Sequence, residues 1–241
     1  MTTRARSFDA AAASYAAHRP SYPPALFDAV ESLTGRPLAG ARVADVGAGT
    51  GIATTLLRER GAAVVAVEPG DGMAAEFRRA HPGIPIVRGD GDRLPLATGS
   101  VDLITYAQAW HWTDPARSVP EARRALRPGG ALALWWNDAD ATVPWIAEQE
   151  ERLRVFFEVE EETHRTLPEG LGAFATRSVT WTRRITLDDH LANLASHSAF
   201  LVLGEDRTRE YFAGERELLS PLFPDGIVEE QYVVSLNVAV V

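Results

Sequence analysis

The chain of 241 residues is 46% hydrophobic and 24% charged, ordinary proportions for a folded protein and long enough for one full core. It contains no cysteine and all 24 basic residues are arginine, which excludes disulfides, thiolate metal sites, cysteine nucleophiles, lysine Schiff bases and a phosphate-loop lysine. A net charge of −9 argues against nucleic acid or an anionic membrane as partner, and no signal-type or membrane-spanning apolar run is present, so a cytoplasmic monomer or homodimer is expected.

Residues 23–34 carry a helical pattern, with Pro24 in the first turn, Leu26, Phe27, Val30 and Leu33 on one face and Gly35 as a stop. Arg42–Val46 is a short apolar run that opens into a glycine-rich turn, and helical spacing resumes over Thr50–Arg60. Ala62–Val67 is a continuous apolar run of the kind buried on both faces of a parallel sheet. Met73, Phe77 and Ala80 mark the next helix, Ile84–Val87 a third strand and Val101–Ala107 a fourth. Asp114-Pro115 reads as a cap and first turn for a helix using Val119, Ala122 and Leu126. Arg127-Pro128-Gly129-Gly130 then reads as a turn before a fifth strand, Ala131–Trp136. Alternation of this kind predicts an α/β fold, a Rossmann-like doubly wound and mostly parallel sheet. Ligands in such sheets sit at the carboxyl ends of the strands.

Beyond Trp136 the pattern changes. Trp145, Ile146, Gln149, Leu153, Phe156 and Phe157 predict a long helix, with the acidic run Glu158, Glu160, Glu161 and Glu162 as its solvated end. The 158–178 stretch reads as a connection. Val179, Trp181, Ile185 and Leu187 predict a strand. Tyr232, Val234, Leu236, Val238 and Val240 alternate as a second strand, antiparallel to its neighbour. Two helices are expected between them, the first capped by Thr186 with Asp189 and using Leu191, Leu194 and Leu201.

The turn Asp45-Val46-Gly47-Ala48-Gly49-Thr50-Gly51 has the physics of a nucleotide loop, because glycines permit positive φ and close approach of the backbone to a ligand. A dinucleotide fingerprint requires glycine where this chain has Ile52. With the acid in front, the turn resembles motif I of the class I S-adenosylmethionine-dependent methyltransferases, particularly the small-molecule (type 11) group that includes trans-aconitate methyltransferase. The resemblance spans roughly the whole chain and is strongest over 40–136.

It implies a single domain over 1–241: an N-terminal helical lid (1–35), a cofactor-binding core (40–136), a substrate-covering helical insertion (137–178), and C-terminal strands and helices (179–241). It also implies S-adenosyl-L-methionine as cofactor, cradled by Asp45, Gly47, Ala48 and Gly49. Glu68, followed by Pro69 at the end of the second strand, would accept from both ribose hydroxyls. In the loop Gly89-Asp90-Gly91-Asp92, Asp90 would accept from the adenine amine beside Gly91, and Met73 would pack on the base. Gln108 ends the fourth strand, where backbone contacts to the cofactor are expected. Arg19 would pair with the cofactor carboxylate, Tyr15 would lie near the sulfonium, and Tyr22 belongs to the same lid.

Methyl transfer from a sulfonium is driven by proximity and orientation and needs few diagnostic side chains. Trp110 and Trp112, together with Tyr22, are expected to wall the substrate pocket, and His111 between the two tryptophans is the candidate base for a hydroxyl or amine acceptor. His81, His164, His190 and His197 show no ligand spacing, and Asp138 with Asp140 reads as a turn, so no metal is expected. The partner is expected to be a small molecule. Two rival readings are a nicotinamide-dependent oxidoreductase, which Ile52 disfavours, and a protein that binds the cofactor for sensing or non-methyl chemistry.

Overall fold

The computed structural model describes residues 18–158, 166–201, 203 and 205–241. Their strands form one sheet of seven in the order β3-β2-β1-β4-β5-β7-β6. These strands are β1 Arg42–Val46, β2 Ala63–Glu68, β3 Ile86–Arg88, β4 Val101–Ala107, β5 Leu126–Ala139, β6 Ala175–Thr186 and β7 Ile227–Val240. The first five pair in parallel; β7 runs antiparallel to β5, with Ala131 opposite Val240 and Ala139 opposite Tyr232, and β6 runs antiparallel to β7 at the edge. Strand order reverses between β1 and β4, the place where doubly wound sheets bind ligands.

Helix α1 (Pro24–Thr34) starts with proline and ends where Gly35 takes φ 66° and returns its N–H to the Glu31 carbonyl. Its face of Leu26, Phe27 and Val30 packs with α2 (Ile52–Glu59) and with Ala131, Ala133 and Trp135 of β5. The alternate β5 residues Leu132, Leu134 and Trp136 face the other layer, where α4 (Pro115–Ala125) contributes Ala122 and Ala125. Helix α3 (Asp71–Ala80) covers β2 through Phe77. Thus α1 is a layer of the core, and among the described residues of the expected lid Arg19, Pro20 and Tyr22 reach the strand tips.

Several elements differ from the sequence reading: Leu126 opens β5 instead of belonging to α4, β6 begins at Ala175 inside the expected connection, and Leu187 starts a helix instead of ending a strand. The third strand begins at Ile86, because Pro85 has no N–H and joins the ladder only by accepting from Ala66. The expected turn at 127–130 lies inside β5 as an irregularity: Val101 pairs with Leu126 and Leu103 with Ala131, so the extra residues loop out around Gly129 at φ 71°. Between β6 and β7 stand three helices rather than two: α6 (Leu187–Ala195), α7 (Ser198–Leu201) and α8 (Glu205–Leu219). The Thr186 hydroxyl caps α6 by accepting from the Asp189 N–H at 3.1 Å, but α6 ends before Leu201. Helix α5 (Pro144–Phe156) follows β5 and sets Trp145 against His190 and Phe223.

Candidate functional site

At the tip of β1 the chain turns through Gly47 at φ 70°, Gly49 at 57° and Gly51 at 99°. A Cβ at Gly47 would lie 2.5 Å from that of Ala109, whereas one at Gly49 would meet nothing within 4 Å. The turn is tied to β2: the N–H groups of Gly47 and Ala48 donate to the Val67 carbonyl at 2.8 and 3.2 Å. Glu68 completes that link. Its buried carboxylate accepts from Gly49 N–H at 2.8 Å and from Gly70 N–H at 2.6 Å, clasping the two turns together.

Asp45 supports this turn from behind. It is wholly buried and accepts from the hydroxyls of Thr54 at 2.5 Å and Thr105 at 2.8 Å, joining α2 to β4. Burial pushes its carboxyl up to about 6, with the two hydroxyls opposing. It does not line the cleft described below, so the expected cofactor contact is replaced by a positioning role. Ala48 likewise turns away, toward Ala66, Phe77 and Ile84.

Beyond β3, Asp90 builds its own turn by accepting from the N–H groups of Asp92 and Arg93 at 3.1 and 3.0 Å. Gly91 sits against Tyr106 of β4; a Cβ there would fall 2.7 Å from the phenol oxygen. Burial, reinforced by the charges of Asp92, Asp90 and Glu121, pushes that phenol above its ordinary range. The β4 tip ends at Gln108, which adopts φ 57° and donates from its side chain to the Asn137 carbonyl at 2.9 Å.

The next turn, Trp110–Trp112, separates its two tryptophans. Trp110 is buried edge-on to Tyr106 at 4.9 Å in the core, which corrects the pocket-wall expectation for it; Trp112 faces the cleft. His111 is exposed and receives the indole N–H of Trp136 at Nδ1, 3.3 Å away. At the β5 tip, Asn137 is 7% exposed and accepts at Oδ1 from the indole N–H of Trp181, at 2.9 Å.

These tips enclose a cleft of about 560 Å³, within the ~300–1,000 Å³ range of small-molecule sites. Gly47, Gly49, Glu68, Pro69 and Met73 line one end. Asp90, Gly91, Gln108, His111 and Trp112 continue the wall, and Arg19 and Tyr22 enter from the segment before α1. Tyr22 leans edge-on against Trp135 at 5.9 Å. Tyr15 lies outside the described residues.

The structure adds residues that sequence reasoning missed. Asn137 and Asp138 are the described residues of 137–178 that line the cleft, whereas α5 packs elsewhere, so the described part of the insertion does not form the expected cover. His197, in the turn between α6 and α7, lines it too. Burial, with the Arg19 and His190 charges adding, pushes its imidazole down to about 3. No spacing in the sequence marks His197, because only the packing of the C-terminal helices brings it over the β-strand tips.

Among the described residues, no group of three or more His, Cys, Asp or Glu converges as a metal site, and no helix is long and apolar enough to cross a membrane. The sheet order and strand-tip cleft define a Rossmann-like α/β protein with its cleft at the place where such sheets bind ligands.

Residues 44–134 match the family model of a methyltransferase domain. An uncharacterized methyltransferase of Mycobacterium tuberculosis (strain ATCC 25618 / H37Rv) is 42% identical over 193 residues, covering 80% of this chain and 76% of the relative. The demethylmenaquinone methyltransferase of Beutenbergia cavernae is 38% identical over 117 residues, 48% of this chain and 47% of that one. A solved structure from Anaeromyxobacter dehalogenans, assigned to the methyltransferases, superposes with a TM-score of 0.71 at 26% identity, covering 92% of this chain and 97% of its own. The chain belongs to the class I S-adenosylmethionine-dependent methyltransferases.

Proposed function

We propose that the cleft binds S-adenosylmethionine and that the chain directs transfer of its methyl group to a small organic acceptor by in-line displacement. When bound, the cofactor supplies an electrophilic methyl on a good leaving group. The protein's task is then to orient the two reactants and exclude water. One observation carries the reading: the Glu68 carboxylate stands at the β2 tip, inside the cleft, gripped by the amides of the glycine turn. Each carboxylate oxygen can accept two hydrogen bonds, so the loop amides and a ribose diol can share it.

The other assignments follow the same logic. Gly47 and Gly49 keep the β1 turn free of side-chain bulk next to the methionyl portion. Asp90 and Met73 serve the adenine at the β3 and α3 ends, and Arg19 faces the cofactor carboxylate from the segment before α1. Gln108, fixed in a left-handed conformation, presents backbone at the β4 tip. Trp112, Tyr22, His111, Asn137 and Asp138 are left for the acceptor. The acidic balance of the chain and the relative named demethylmenaquinone methyltransferase both support a small organic molecule over nucleic acid.

Calorimetry with S-adenosylmethionine, S-adenosylhomocysteine and NAD tests the reading. We expect binding of the first two and none of NAD, and Glu68→Ala is expected to cost ~1.5–3 kcal/mol of affinity, the loss of charge-assisted hydrogen bonds. Selective NAD binding, or a Glu68→Ala variant that binds as tightly as the parent, overturns it.

A further inference from the structure

We propose that Asn137 and His111 form a pair of hydrogen-bond donors at the acceptor end of the cleft, each polarised by a tryptophan behind it, and that together they receive an oxyanion of the acceptor. The inference rests on the methyltransferase reading and names the class of molecule that reading leaves open.

An indole N–H can only donate. Trp181 donates to Asn137 at 2.9 Å, so that contact fixes the amide oxygen toward Trp181 and leaves Nδ2 as the group presented on the other side. Asn137 lines the cleft, and its Nδ2 is buried without a hydrogen-bond partner among the described residues. A buried donor left unmade is costly, and an acceptor atom entering the cleft removes that cost.

The second indole acts in the same way on His111. Trp136 donates to Nδ1 at 3.3 Å, and a ring nitrogen that accepts carries no proton, so the neutral imidazole holds its proton on Nε2. Trp136 is buried and His111 exposed on the cleft, which turns Nδ1 to the core. Protonating the ring would set two N–H groups face to face. His111 is therefore a donor, in place of the general base expected from the sequence.

His197 does not replace that base: it is held neutral beside Arg19 and takes up a proton only far below neutrality. The acceptor must then arrive ionised, as a phenolate, enolate or carboxylate. Its oxygen lone pair forms the bond to the methyl carbon as the carbon–sulfur bond breaks toward sulfur. Oxyanion and sulfonium charges cancel, and no proton is released. An acceptor arriving as an ammonium ion would oppose N–H to N–H.

The test begins with S-adenosylhomocysteine binding to the parent protein by calorimetry; failure there sinks the underlying reading alone. The protein saturated with S-adenosylhomocysteine is then titrated with 4-nitrophenol across pH and, separately, with 4-nitroaniline. We expect the nitrophenolate to bind at least ~10-fold more tightly than the neutral nitrophenol, seen as a fall of about one unit in the pKa of the bound phenol, and more tightly than the aniline. Asn137→Asp and His111→Phe should each abolish that preference while S-adenosylhomocysteine affinity stays within ~2-fold. Nitrogen-15 NMR should report the Nε2–H tautomer for His111 in the parent and a mixture of tautomers in Trp136→Phe. An Nδ1–H tautomer in the parent, equal binding of the two nitro compounds, or an Asn137→Asp variant that loses S-adenosylhomocysteine instead of nitrophenolate overturns the proposal.

Discussion

Asp45 shows how a single buried residue sets the site without touching it. Its carboxyl is pushed up to about 6 by burial, above the ordinary Asp value in the unfolded chain. Between these two values the folded state binds more protons than the unfolded one, so this group's contribution to stability falls as pH rises and levels off above about 6. Asp45→Asn removes the titration. Denaturant unfolding at pH 4, 5, 6 and 7 should show the variant gaining on the parent as pH rises, by ~1–3 kcal/mol in all. A constant difference across that range would mean the carboxyl does not titrate there. The neighbouring Gly47 predicts a sharper loss. At φ 70°, with Ala109 2.5 Å from any added Cβ, Gly47→Ala must shift the β1 turn. It should weaken S-adenosylhomocysteine binding by ~10-fold or more in calorimetry, and Gly40→Ala, whose added Cβ meets nothing within 4 Å, should not. The places of Glu68, Asp90 and Met73 on the cleft were legible because each sits at or just beyond the end of a strand that hydrophobicity delimits, while the roles proposed for them came from the family resemblance. Asn137 was not, because its polarity is set by Trp181, on another strand across β7. Trp110 and Trp112 could not be told apart by sequence, since a short 3₁₀ turn decides which indole goes inward.

At the level of elements, the segment that carries Arg19 and Tyr22 is held by a buried polar linkage. The Arg183 guanidinium on β6 donates to the His18 carbonyl at 3.3 Å through both terminal nitrogens and is ion-paired with Glu230 of β7. Glu230 also bonds the His190 imidazole at 2.6 Å and accepts from the Tyr232 hydroxyl at 2.7 Å. Burial alone would raise the Glu230 carboxyl, but His190, Arg183 and Tyr232 together hold it below the usual range. Removing the cation strands a buried carboxylate, so Arg183→Met should cost ~2–4 kcal/mol in denaturant unfolding and make the chain near residue 18 more open to protease. Arg183→Met with Glu230→Gln should recover part of the loss, because the two residues share one network; strictly additive losses would show that the pair is uncoupled. This linkage was illegible in the sequence, which supplied the strands themselves through their alternation. The register that sets Arg183 opposite Glu230 depends on pairing across a long, helix-filled connection. The same connection explains why α5 and α6 escaped the sequence reading as partners of one another: their shared polar contacts join residues far apart in the chain, such as Gln149 and His190 at 3.2 Å.

For the molecule as a whole, the cleft draws on elements from both ends of the chain: the segment before α1, the tips of β1 to β5, and the turn after α6. No such arrangement survives unfolding, so a ligand there binds the folded state alone and raises its stability by mass action. With S-adenosylhomocysteine at about 100 times its dissociation constant the gain is ~2.7 kcal/mol. For a chain of this size that corresponds to a rise of roughly 5–10 °C in Tm. The same concentration added to Glu68→Ala should give a smaller rise, because for a ~10–100-fold weaker site it amounts to only ~10 to ~1 dissociation constants and a gain of ~1.4 to ~0.4 kcal/mol. Thermal melts of the two proteins, with and without S-adenosylhomocysteine and with NAD as the control, check this in one experiment. An equal rise in both proteins would place the ligand away from the β2 tip, and a rise with NAD alone would turn the assignment toward hydride chemistry.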